Sequence, residues 1–294
     1  MYEYLWFFIV YAFLGWCTEV AFAAVDLGKF VNRGFLNGPV CPVYGFGVAA
    51  VIRLLTPIQD NKLILFLGAV VVTSLIEFLT GWVLEMLFKQ RWWNYSDFPF
   101  NIKGYICLKF SILWGLACLF VMEIVHPGIT HVISLIPVNI GWIILIILYI
   151  ILFIDVFATA QTVLKINKQL EEANKIAEKI HSFSDDIGQK ISSGSMKVVN
   201  RLEESKKVTE ELKTNVISNI KSSKEQLEYL KEQREKILSK NFFGKRRIIK
   251  AFPKITSPKY KLELEHIKKK IIGMNNKDDK QRIDQSDTEE KTSN

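Results

Sequence analysis

The sequence predicts an all-α, polytopic membrane helix bundle of about five spans, built as two parallel-repeat hairpins plus one helix, with a cytoplasmic helical coiled-coil tail. Three observations predict it. First, the chain of 294 residues is 49% hydrophobic, but its charge is segregated. Residues 1–160 hold 8 Lys and Arg against 9 Asp and Glu, and residues 161–294 hold 30 against 21. The first part is too poor in charge for a soluble domain and the second is too polar for lipid. Second, apolar runs in the first part recur at the length that crosses about 30 Å of hydrocarbon. Third, the chain matches itself without gaps when slid by 66 residues.

The spans are read at 4–25, 39–57, 62–88, 105–125 and 134–158. The first is too long for a signal-peptide core and lacks basic residues before it, so it is read as a retained helix. Orientation follows from basic residues in short loops. Lys29 and Arg33 follow the first span, and Lys89, Arg91 and Lys103 follow the third. The connection His126 to Val132 carries no Lys or Arg. This alternation puts the N-terminus outside and the tail in the cytoplasm, as expected of a multi-pass plasma-membrane protein. A six-span reading needs one span split, or a re-entrant piece around Asn37–Gly47.

The repeat sets Gly15-Trp16 and Glu19 on Gly81-Trp82 and Glu85, Phe22 on Phe88, Gly38 and Cys41 on Gly104 and Cys107, and Tyr44 on Phe110. Repeat 1 covers about 4–57 and repeat 2 about 62–125. Both run outside to inside and back, so they are related by an axis along the membrane normal. The fifth span lies outside the repeat.

A carboxylate at a span centre costs about 2.5–3.5 kcal/mol on insertion scales, so such groups face other helices or water. Arg53, Lys109, Glu123 and Asp155 lie near span ends, where interfacial solvation accounts for them. Glu19, Glu77 and Glu85 are deeper. Thr73, Glu77, Gly81 and Glu85 recur every four residues along one stripe, and Tyr11, Gly15 and Glu19 make the equivalent stripe. Glycine permits close helix approach. Either the two stripes meet and line a polar site for a cation, protons or a polar head group, or each Glu pairs with a loop cation, Arg33 or Arg91, and fixes the packing.

The stretch Asn32 to Gly47, including Arg33, Asn37 and Gly38, has four glycines and two prolines beside a membrane entry. It either dips into the bilayer, where its backbone must be buried in protein or face water, or is a kinked helix start. In the matching loop, Arg91, Trp92, Trp93 and Tyr95 read as an interfacial aromatic anchor. The four cysteines, none in a CxxC pair, read as buried apolar residues rather than disulfides or a zinc site.

The stretches Gly15 to Glu19, Asn32 to Gly47, Glu77 to Glu85, Trp92 to Ser96 and Asn101 to Leu108 together resemble the putative ABC-transporter type IV family, also called CmpB-like. The similarity covers roughly residues 3–160, and loosely 240–272. It implies a permease-like membrane protein and brings no catalytic or substrate-binding residues with it. No GxxxxGK[ST] phosphate loop occurs in the chain, so ATP hydrolysis would come from a separate ATPase subunit.

In the tail, residues 161–240 read as a coiled coil: one helix to about Lys190, a break at Ser192-Ser193-Gly194-Ser195, and a second helix from Met196 to Lys240. Val216, Ile220, Ser223, Leu227, Leu230, Arg234 and Ile237 form its heptad seam, which offers self-association. Residues 241–272 read as a basic amphipathic stretch, attracted to anionic membrane lipid, followed by a short helix. Residues 273–294 read as disordered. Tethering to a membrane argues against nucleic acid. No catalytic set, metal site or cofactor motif is visible, so an enzyme is not expected. The sequence thus supports a permease-type membrane protein of undefined substrate or, alternatively, a non-transporting scaffold whose coiled-coil tail recruits cytoplasmic partners.

Overall fold

The computed structural model describes residues 1–201 and 206–273. Four helical stretches are long and apolar enough to cross a membrane, and a fifth apolar helix, Pro42–Ile58, is shorter. Helix α1 (Tyr2–Leu27) ends at Gly28, whose left-handed φ of 66° lets its amide close on the Ala24 carbonyl. Helix α2 spans Pro42–Leu55, and a 3₁₀ turn extends it over Thr56–Ile58. Helix α3 (Lys62–Phe88) starts at Asn61, whose side chain accepts from the amides of Leu63 and Ile64. A two-stranded hairpin, β1 (Asn101–Ile102) against β2 (Ile106–Cys107), precedes α4 (Leu108–Phe120).

The fourth span is longer than the sequence reading. After α4, a π turn over Val121–Val125 leads straight into α5 (His126–Ser134), so the expected outer connection at His126 to Val132 is helical. Pro127 near the start of α5 cannot donate to the preceding turn, and the wider π turn absorbs that missing bond. Pro137 then allows only a tight turn before α6 (Val138–Arg201).

Helix α6 overturns the expected break at Ser192-Ser193-Gly194-Ser195, because it runs unbroken through those residues for 64 in all. A glycine in a helix costs only about 1 kcal/mol, and no proline lies in this stretch. Helix α7 (Lys206–Ser239) returns antiparallel to α6: the Gln169 amide donates to the carbonyls of Ile237 and Lys240. Along the heptad seam Leu227, Leu230 and Ile237 are half-buried; the side chains of Val216 and Ile220, and residues 274–294, lie outside the described residues.

Hairpins α1–α2 and α3–α4 stand side by side, with α2 against both α1 and α3. A core of Trp6, Phe7, Tyr11, Leu65, Met122 and Leu145 joins their halves farther from the tail to α6. Outside it lies an apolar belt, including Phe13, Phe22, Leu67, Val71, Leu75, Ile112, Leu116 and Phe153, that is exposed as a lipid-facing surface must be.

A second core lies at the tail side. Phe88 and Trp92 pack with Val163, Ile166, Leu170, Leu238, Ile248, Ile249, Ile255 and Leu264. Trp92 is therefore a core residue, wedged edge-on between Phe35 and Phe252, and not an interfacial anchor. The same core overturns the expected lipid contact of helix α8 (Lys245–Ala251). Ile248 and Ile249 are buried in protein, and Lys245 turns inward to donate to the carbonyls of Leu238 and Lys240. Residues 261–273 form a last helix, α9, tied to α7 by Arg234–Glu263 and His266–Glu235.

Burial, then the charges of Lys270 and Arg246, pull the Lys245 ammonium down to about 8. The folded state therefore binds fewer protons than the unfolded chain from about pH 8 up to the ordinary lysine value of 10.5. Stability from this group rises with pH across that window. The thermal midpoint of the detergent-solubilised protein is expected to climb between pH 8 and 10, and Lys245→Met is expected to flatten that climb. An unchanged slope in the variant would refute the assignment.

Candidate functional site

The connecting loops do not stay at the tail-side ends of their helices. The Cys41 amide donates to the carbonyl of Ala12, 2.9 Å away. Ala12 is fifteen residues before the end of α1, about 22 Å along the axis. On the way up, Asn32 accepts from the Trp16 indole at 2.8 Å, and Leu36 packs between Phe8 and Leu152. The segment 28–41 thus folds back along α1 to its middle, and α2 starts at Pro42 rather than at 39.

The second loop does the same. The ring of Tyr105 meets Phe78, and the Tyr95 hydroxyl reaches Glu77, about 15 Å above the end of α3 at Phe88. Cys41 and Cys107, repeat partners, both directly precede the returning helix. All four cysteines are free.

Backbone at that depth needs internal partners, and two residues outside the repeat supply them. Asp155 of α6 accepts from the Asn37 amide (3.0 Å), the Asn37 side chain (2.8 Å) and the Gly38 amide (2.6 Å). Thr159 also donates to it. Arg247 of α8 donates to the carbonyls of Gly34 (2.9 Å) and Phe35 (2.8 Å) and to the Asn37 side chain (3.0 Å). Asp155 is thus a loop anchor and not an interfacially solvated charge. Glu123, also read as solvated, pairs with Lys62.

The carboxylates are held as follows. Glu19 accepts from Tyr44 (2.6 Å) and pairs with Arg33 (3.5 Å), whose guanidinium also lies over Phe22. Glu85 pairs with Arg91 (2.5 Å) and accepts from Tyr105 (2.8 Å). Each hairpin therefore builds one cage of carboxylate, tyrosine and arginine, although Tyr44 and Tyr105 do not fall on one another at the 66-residue offset. Gly15 and Gly81 make room for these tyrosines: a Cβ at Gly15 would stand 2.3 Å from the Tyr44 ring, and one at Gly81 2.9 Å from the Tyr105 ring.

Glu77 accepts from Tyr95 at 3.2 Å and lies beside the Trp114 indole; its Oε2 is buried and makes no hydrogen bond of good geometry among the described residues. Burial, the Glu77 carboxylate and, more weakly, Cys107 and Glu19 all push the Tyr95 hydroxyl above its ordinary range. Trp114 of α4 packs edge-on to Tyr44, and Tyr95 stacks on Phe110. Glu19 with Tyr44 and Glu77 with Tyr95 thus share one seam between the hairpins.

The two stripes do not pack directly on one another. Helix α2 lies between α1 and α3, Glu19 and Glu85 are each engaged within their own hairpin, and the stripes approach only through Tyr44 and Tyr95. Thr73 turns its hydroxyl onto its own helix at Ala69, and Tyr11 meets His126 in the half farther from the tail, so neither joins the carboxylates. Trp93 donates to the Tyr105 carbonyl, and Gly104, at φ 72°, forms the turn over Asn94 and Ser96. Sequence reasoning missed Tyr44, Tyr105, Trp114, Asp155 and Arg247. Only the Asp155-to-Thr159 spacing, one turn apart on an apolar helix, was a usable signal.

The tail touches both loops. Arg247 grips the first, while Arg91 and Thr256 exchange backbone hydrogen bonds of 2.8 and 2.9 Å at the second. Among the described residues, no group of three or more His, Cys, Asp or Glu is placed to hold a metal ion.

Comparison with known proteins adds one finding. A family model described as putative ABC-transporter type IV matches residues 6–160. No curated protein and no solved structure matches the chain.

Proposed function

The chain belongs to the putative ABC-transporter type IV family, and from that premise we propose that it is a permease-type membrane subunit whose path runs along the Glu19–Tyr44 and Glu77–Tyr95 seam. The observation that carries this reading is the Glu77 carboxylate, buried without a cationic partner among the described residues. Glu19 and Glu85 have both an arginine and a tyrosine, but the groups beside Glu77 are neutral, the Tyr95 hydroxyl and the Trp114 indole. A buried acid with no cation beside it is costly in a merely structural role and useful for holding a cation, a proton or a polar head group. Because the tail covers both loops, a separate ATPase subunit would act on the helices through α8 and residues 255–257. Basic loops and the basic tail support placing that side in the cytoplasm of a plasma-membrane protein.

Glu77→Gln is expected to leave the thermal midpoint of the purified protein unchanged or raised, since it removes a half-partnered buried charge. It is expected to abolish complementation of a deletion strain's growth or uptake phenotype. Glu85→Gln is expected instead to cost about 1–3 kcal/mol through its half-exposed arginine pair. Full complementation by Glu77→Gln would refute the path.

The alternative of a non-transporting scaffold draws on the α6–α7 hairpin, which extends far past the last membrane-level contacts and offers a surface for self-association or partners. Deleting the hairpin tip between residues 178 and 228 distinguishes the two. A lost phenotype there, with Glu77→Gln silent, favours the scaffold.

A further inference from the structure

We infer that the tail-side end of α3 carries a binding site for one anionic phospholipid, independent of any transport. A groove of about 280 Å³ opens there between α3 and residues Pro258 and Lys259. Its α3 wall is apolar and exposed: Trp82 and Met86 each show 47% of their surface. This wall continues upward into the lipid-facing belt through Leu79, so an acyl chain reaches the groove without leaving the hydrocarbon. Its lower rim is cationic. Lys89 and Lys259 are both exposed, and among the described residues neither ammonium is in an ion pair.

The geometry of the rim is fixed rather than incidental. Lys89 caps α3 in the left-handed region at φ 53°, and its carbonyl accepts from Ser257 at 3.2 Å, which ties α3 to the segment carrying Lys259. Lys259 is steadied over the Tyr260 ring at 5.3 Å. Glu85 also lines the groove, where Arg91 and Tyr105 both engage its Oε2 and the guanidinium offsets its charge; Glu171, near Lys259, is itself paired with Lys175, which leaves the rim cationic. An indole at the wall, two ammonium groups at the rim and a continuous apolar approach fit a phosphodiester whose acyl chain lies on Trp82 and Met86. A soluble anion would use the rim and leave the wall empty.

The test uses the full-length protein purified from membranes holding phosphatidylglycerol and phosphatidylethanolamine, with co-purifying lipid counted by native mass spectrometry. Wild type is expected to retain phosphatidylglycerol preferentially. Lys89→Gln with Lys259→Gln is expected to lower retention about thirtyfold, from the roughly additive attraction of two basic groups. Trp82→Ala is expected to lower it as well, and Lys62→Gln at the other end of α3 is expected to leave it unchanged. Equal retention of both lipids by wild type, or unchanged retention in the double variant, overturns the site. Full displacement by glycerol 3-phosphate also overturns it, in favour of a soluble anion. Should the double variant fail to fold, the wild-type lipid preference and the glycerol 3-phosphate competition decide alone.

Discussion

Arg247→Ala is expected to lower the stability of the protein by about 3–5 kcal/mol and to open the first loop to reagents. The guanidinium makes three hydrogen bonds, to Gly34, Phe35 and Asn37, and each charge-assisted bond of this kind contributes roughly 1.5–3 kcal/mol without full additivity. Alanine leaves two loop carbonyls without donors at a depth where water is scarce, and it releases Asn37 from the contact that orients it toward Asp155. Lysine cannot reproduce the planar fork, so Arg247→Lys should recover only part of the loss. Thermal unfolding in detergent measures the first effect. The second is read at Cys41, only 6% exposed, by maleimide labelling in a chain whose other cysteines are replaced by serine. Labelling no faster than in the parent would show that Arg247 does not hold the loop.

Gly15→Ala is expected to cost about 1–3 kcal/mol, and Gly81→Ala less. The added methyl at Gly15 would stand 2.3 Å from Cγ of Tyr44 and 2.4 Å from its Cβ. Tyr44 cannot retreat easily, because its hydroxyl is bonded to Glu19 and its ring packs on Trp114. At Gly81 the nearest atom is 2.9 Å away, on the rim of the Tyr105 ring, where a smaller rotation relieves the contact. Midpoints of the two variants in the same detergent give the comparison. The reverse order would mean that α1 and α2 have more room than their geometry shows.

Much of this architecture is legible in the sequence because it rests on local pattern. Lys62–Phe88 is a span by length and hydropathy, and the pairing of Glu19 and Glu85 with loop arginines follows from their shared side of the bilayer. The 66-residue offset also places Cys41 and Cys107 at matching positions before their helices. What escapes is set by distance along the chain. Asn37 and Asp155 are 118 residues apart, and Arg247 reaches back 210 to Asn37. Neither contact leaves a periodic trace. Asp155 is misread for a further reason: near a span end, a carboxylate bonded to a folded-back loop and one bathed in water look the same in sequence. The unbroken α6 is misread because Ser and Gly weaken a helix only slightly, and continuation beyond 192–195 adds a hydrogen bond at each residue.

That continuity turns α6 into a lever. It is held from Asp155 through the buried Val163, Ile166, Leu170 and Ala173, a stretch centred near Leu164, with about 39 Å of helix from there to Val138 and about 55 Å to Arg201. A sideways push of about 3 Å at the far arm, pivoting about that stretch, becomes roughly 2 Å at the opposite tip, with the force multiplied by the same ratio. Whatever seizes the distant arm therefore gains mechanical advantage over the bundle.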